Sequence, residues 1–170
     1  MPTCWPLIND LAGGGFGKGE LIIFVAGPGG GKSTAMMNIG AHILKKGMRV
    51  VHYTMELTEA YVSQRYDAVI TGIATQNLKY HIEDIEAELK KLTGELIIKY
   101  YPTKTASVSS LKAHLDKLIL QGKKPDIVIV DYADLLRSTN GKGRDSLHQE
   151  LENIYEDLRG LAGEYEVPVF

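Results

Sequence analysis

Residues 26–33 read A-G-P-G-G-G-K-S, the stretch of this chain with the most chemistry in it. A glycine-rich loop ending in Gly-Lys-Ser, with a strand leading in and a helix leading out, is a phosphate cradle. Glycines let successive backbone N–H groups turn inward without a Cβ clash, forming an anion-binding nest. The helix start adds unpaired N–H groups and a partial positive charge. The candidate nucleotide-binding residues are therefore Ala26, Gly27, Pro28, Gly29, Gly30, Gly31, Lys32, Ser33 and Thr34. Lys32 suits the β- and γ-phosphates, and the Ser33 hydroxyl suits Mg²⁺. Thr34 suits contact near the α-phosphate. Ala26 replaces the first glycine of the motif, which a strand end with negative φ tolerates.

Further polar residues stand where a second half of the site is needed. Asp131 closes the apolar run Ile127-Val128-Ile129-Val130. A carboxylate there can hold Mg²⁺ opposite Ser33; the plainer reading is an acid capping a turn. Glu56 follows a second apolar run. It is long enough to orient or deprotonate an attacking water, and equally suits a solvated acid at a helix start. Asp134 fits an exposed loop acid better than a nucleotide contact. Lys142 and Arg144 lie in a loop with Gly141 and Gly143. Two cations on a pliant backbone suit nucleic-acid phosphates, though on these residues alone a solvated loop fits better.

The elements that position these residues alternate. Residues 20–26 read as a strand apolar on both faces, and 33–46 as a helix stopped by Gly47. A strand over 49–54 precedes a helix capped by Thr58 and running to about 70. Residues 72–80 read as a connection, 81–92 as a charged surface helix, and 95–100 as a strand. Ser107 caps a helix to 121, and residues 126–131 form a fourth strand. A helix over 146–162 turns Leu147, Leu151, Ile154, Leu158 and Leu161 inward, and a fifth strand begins at 167. Leu7, Ile8 and Leu11 suggest a short helical turn packed on the core. Gly13 to Gly19 resembles a second phosphate loop but has Gly19 where Ser or Thr is required, so it reads as a turn. Strand–helix alternation means an α/β fold with a mostly parallel sheet, helices on both faces, and ligands at the carboxyl ends of the strands.

The 170 residues suit a single domain over 1–170. A formal charge of -2 gives no global basic footprint, so nucleic-acid binding needs a local patch or several subunits. The single cysteine, Cys4, forms neither an internal disulfide nor a cysteine zinc site, which fits a reducing, cytoplasmic setting. Apolar runs are strand-length, so no membrane partner is expected.

The stretches 11–15, 19–21, 26–34, 53–57, 64–68, 101–103, 106–108, 125–136, 158–162 and 167–169 together resemble the motor domain of DnaB-type hexameric replicative helicases, within the RecA-like P-loop ATPases. The likeness is strongest toward the helicases of tailed bacteriophages. It implies ATP and Mg²⁺ as cofactors, Lys32 and Glu56 as catalytic residues, and Ser33 and Asp131 as metal ligands. It implies Lys142 and Arg144 as contacts to single-stranded DNA. It further implies a homo-hexamer, a primase or helicase loader as partner, and the cytoplasm of a bacterium or phage-infected host. In that family the fifth strand lies between the Asp131 strand and the phosphate-loop strand, so the chain is expected to be a C-terminally incomplete core with low activity and stability alone. A RecA/RadA-type recombinase and a KaiC-like regulatory ATPase use the same core and are the alternative readings. A non-catalytic nucleotide-binding module is disfavoured by the full set of Lys32, Ser33, Glu56 and Asp131.

Overall fold

The computed structural model describes residues 1–138 and 147–170. The elements in order are α1 (Pro6–Leu11), α2 (Lys32–Lys45), β1 (Arg49–Thr54), α3 (Glu59–Thr71), a 3-10 helix (Thr75–Tyr80), α4 (Ile82–Leu89), β2 (Glu95–Tyr100), α5 (Val108–Leu120), β3 (Ile127–Asp131), a 3-10 turn (Ala133–Leu135) and α6 (Leu147–Tyr165). The sheet is parallel, in the order β2-β1-β3, with Val50 opposite Leu96 on one side and Ile127 on the other.

Helices cover both faces, as the alternation requires. Val51, Tyr53, Val128 and Val130 pack toward Leu111 and Leu115 of α5 and Leu158 and Leu161 of α6. Val50, Ile127 and Ile129 pack toward Met37, Ile39 and Ile43 of α2 and Val62 and Tyr66 of α3. The period of two along β1 and β3 thus divides one sheet between two apolar layers. Removing one such side chain, Leu or Ile to Ala, costs about 2–5 kcal/mol.

Local signals set most boundaries. The Thr58 side chain accepts from the Tyr61 N–H, and Gly72 at φ 77 ends α3. Ser107 and Ser110 exchange hydrogen bonds as a capping box at the start of α5.

The expected first strand is the main correction. Only Leu21 pairs, through a parallel bridge to Val169, which also bridges Val128. The 167–170 segment is inserted between β3 and the phosphate-loop lead-in. Val128 and Val130 donate to Pro168 and Phe170 oxygens at 3.1 and 2.8 Å, while Ile22 donates to Val169 at 2.8 Å. This is the expected position of the fifth strand. No bridge is made by residues 22–26, and Ile23 and Val25 are 52 % and 88 % exposed, so the lead-in is not buried on both faces. An apolar gap of about 200 Å³ lies between this segment, Val130, Leu158 and Phe170.

Smaller corrections follow the same logic. Leu7 and Leu11 form α1 but stay 71 % and 81 % exposed, and Leu147 at the start of α6 is 66 % exposed. The surface helix is shorter than expected, because residues 90–92 leave the helix after Leu89. The last helix instead continues to Tyr165, whose hydroxyl donates to Asp116 on α5 at 2.7 Å.

Candidate active site

The phosphate loop joins the lead-in to α2 by a backbone only glycine can follow. Gly29 and Gly31 have φ of 71 and 84, and Gly31 is the left-handed N-cap of α2. A Cβ on Gly30 would lie 2.7 Å from the Ala26 Cβ and 3.0 Å from the Gly27 oxygen. Ala26 itself does not adopt a positive φ, in keeping with alanine at this position. The Lys32 ammonium reaches back across the loop and donates to the Ala26 carbonyl at 2.7 Å.

Two more strand ends meet this loop. Ser33 Oγ donates to Asp131 Oδ1 at 3.0 Å. Asp131 is 3 % exposed, and burial pushes its carboxyl above the usual range. Its hydrogen bond from Ser33 opposes that shift; the nearby Glu56 charge adds to it, and Arg65 and Lys32 oppose it. A divalent cation suits this arrangement, since a buried carboxylate and a hydroxyl supply hard oxygen ligands from two elements. Among the described residues no cluster of three His, Cys, Asp or Glu side chains forms a metal cage. A cation held here would take its remaining ligands from phosphate and water.

A cleft of about 510 Å³ opens over these groups. Residues 27–34 form one wall, and Glu56, Leu57, Arg65 and Tyr132 complete it. Glu56 is exposed, on the turn after β1. The turn is tied to β3, for Met55 N–H donates to the Asp131 carbonyl at 2.9 Å. Lys32, Ser33, Thr34, Glu56 and the loop glycines thus line one cleft, and Asp131, not itself in its lining, is bonded to Ser33.

Asp134 turns elsewhere. It accepts from the Tyr155 hydroxyl at 2.7 Å and lines the apolar gap rather than the cleft. Lys142 and Arg144 lie outside the described residues. Arg65 and Tyr132 are cleft residues that motif reading does not single out. Helical spacing offered a clue to Arg65, seven residues past the Thr58 cap and so on the same face of α3. Tyr132 carried no signal beyond its place after Asp131.

The profile of the DnaB-like helicase C terminal domain family matches residues 2–170. The chain belongs to that family. The DnaB-like replicative helicase of Enterobacteria phage T4 is 29 % identical over 176 residues, covering 98 % of this chain and 37 % of that protein. The replicative DNA helicase DnaB of Helicobacter pylori (strain ATCC 700392 / 26695) is 28 % identical over 174 residues, covering 99 % of this chain and 35 % of that one. This DnaB-like chain therefore spans little more than a third of the length of the relatives it matches. Among solved structures, the ATPase domain of G40P superposes with a TM-score of 0.74 at 20 % identity, over 95 % of this chain and 60 % of that one. A DnaB-like replicative helicase described with its primase interactions gives 0.73 at 18 % identity, over 90 % and 38 %. Both share the RecA-like fold of this DnaB-like domain. Among its described residues no helix is long and apolar enough to cross a membrane.

Proposed function

We propose that this DnaB-like domain is the ATP-hydrolysing motor of a replicative DNA helicase. The observation that carries the reading is the hydrogen bond from Ser33 to Asp131, with Ser33 lining a cleft that also holds Lys32 and Glu56. Family membership supports the same conclusion. The nest of residues 27–31 and the α2 N-terminus bind the phosphates, with Lys32 leaving the Ala26 carbonyl to reach the β- and γ-oxygens. Ser33 and Asp131 hold Mg²⁺, which neutralises charge on the phosphates. Glu56 orients the attacking water for in-line displacement. Lys32 stabilises the charge that develops on the transferred group. Arg65, on the cleft wall, adds a second cation beside it.

The same reading includes single-stranded DNA as the track, with Lys142 and Arg144 touching its phosphates. It includes a homo-hexamer, in which a modest net charge is no obstacle because several loops share one strand. A primase or helicase loader is the partner, supported by a fold neighbour described with primase. The test is ATP turnover and strand displacement on a forked substrate by the intact protein and its Lys32→Ala variant. A loss of about 100-fold or more in both is expected; unchanged turnover would refute the site.

A further inference from the structure

The Glu56 turn is held by its neighbours rather than by Glu56 itself. Thr54, the last residue of β1, has a fully buried side chain. Its hydroxyl donates to the Leu57 carbonyl at 2.9 Å and accepts from the Leu57 N–H at 3.1 Å. The residue after Glu56 is thus pinned by both backbone groups. The residue before it is pinned as well: Met55 N–H donates to Asp131, and the Met55 carbonyl accepts from Thr103 Oγ1 at 3.3 Å. Register places Thr54 opposite Asp131, so the brace stands on the strand pair that carries the rest of the cleft. A hydroxyl can donate and accept at one buried point, and a methyl there leaves two backbone groups of the turn unpaired.

We infer that Thr54 is the positioning residue for Glu56, holding the Met55–Leu57 turn at the reach that places the Glu56 carboxylate over a bound γ-phosphate. The inference rests on the proposed hydrolytic role of Glu56. Thr54 touches no reacting atom; it acts through the turn. Misplacing a reacting group by about 1 Å costs on the order of 100-fold in rate. Binding of the phosphates, which the loop and Lys32 supply, does not depend on this turn.

The experiment measures kcat and KM for ATP, and affinity for a fluorescent ADP analogue, in the intact protein. The variants are Thr54→Val, Thr54→Ser, Thr103→Val, Glu56→Gln and the Thr54→Val/Glu56→Gln double. Thr54→Val lowers kcat about 10- to 100-fold with KM and ADP affinity within about threefold of the parent. Thr54→Ser, which keeps the hydroxyl, restores kcat to within about threefold. Added to Glu56→Gln, Thr54→Val costs no more than about twofold further, because a residue acting through Glu56 has nothing left to position. Should Thr54→Val fail to fold, Thr103→Val removes the outer brace from an exposed residue and lowers kcat in the same KM-neutral way. A Thr54→Val enzyme at parental kcat, while Glu56→Gln is inactive, overturns the role of Thr54 alone. So does a serine variant that fails to recover, or a double variant that loses the full product of both effects. A Glu56→Gln enzyme at parental kcat overturns the Glu56 reading and this inference together.

Discussion

Ser33 and Asp131 are 98 residues apart in the chain and 3.0 Å apart in space, joined by a hydroxyl-to-carboxylate hydrogen bond. One belongs to the helix that ends the phosphate loop and the other to the end of β3. A bond between them aligns two elements that carry different parts of the cleft.

The first prediction concerns that bond. Asp131→Asn keeps the shape and one acceptor but removes the charge a cation needs. ATP turnover should fall about 100-fold or more, and the Mg²⁺ concentration for half-maximal turnover should rise. Ser33→Ala should shift the Mg²⁺ dependence in the same direction. Titrating Mg²⁺ at fixed ATP checks both, and an unchanged midpoint in each variant would exclude a shared cation.

Arg65 supplies a further charge to the cleft wall. Arg65→Ala should weaken triphosphate binding about tenfold, or roughly 1.4 kcal/mol. Arg65→Lys should recover part of it, because charge is kept while the planar fork is lost. Competition between ATP and ADP measures the effect, and equal weakening for both nucleotides would show that Arg65 does not read the terminal phosphate.

The buried pair His52 and Tyr66 predicts a pH dependence of stability. The His52 ring nitrogen lies 3.0 Å from the Tyr66 hydroxyl, and burial lowers the His52 pKa from 6.5 to about 3. The unfolded chain takes up this proton first as pH falls. The contribution of His52 is thus complete above about 6.5 and lost between there and about 3, with a slope of up to about 1.4 kcal/mol per pH unit. Asp131, whose carboxyl is raised, titrates with the opposite sign. The readout is therefore the difference between parent and His52→Phe in urea unfolding across pH 4 to 7, and the variant should have the shallower dependence on the acid side.

Gly40 predicts a packing effect on the same pair. A Cβ at Gly40 would lie 2.4 Å from the Tyr66 hydroxyl oxygen and 2.9 Å from its ring. Gly40→Ala should destabilise by about 1–3 kcal/mol despite the better helix propensity of alanine. Tyr66→Phe removes the nearest atom, so the double variant should lose less than the sum. Denaturant midpoints of the four proteins test this coupling, and strict additivity would contradict it.

What the sequence could reveal was local. Arg49–Thr54 and Glu95–Tyr100 are strands at the expected residues, because dense β-branched runs bounded by turn residues leave little choice. Thr58 and Ser107 cap as expected, because a cap needs only its own first turn. Lys32, Ser33, Glu56 and Asp131 were legible as motif residues, and the fold brings the first three to one cleft with Asp131 bonded to Ser33. The phosphate-loop lead-in departs from the strand its apolar run suggests, since a strand needs a partner and composition does not report whether residues 22–26 have one. Leu7, Leu11 and Leu147 show the same blindness, because helical spacing marks an apolar side without saying what lies against it. The Thr54 brace depends on side-chain direction at the end of β1, and the place of Arg65 in the cleft depends on how α3 packs beside the loop, which only the assembled fold defines.

The bridge from Val169 to both Leu21 and Val128 has a consequence for biosynthesis. Ribosomes deliver the phosphate loop early and Asp131 much later, yet the segment inserted between the loop's lead-in and β3 is made last of the three. While 167–170 remains in the exit tunnel, the nascent chain holds every glycine of the loop but lacks the segment that bridges their lead-in to β3. Nucleotide affinity should therefore arise in a single late step of translation, and ribosome-bound chains arrested before and after Val169 should differ sharply in their retention on an ATP resin.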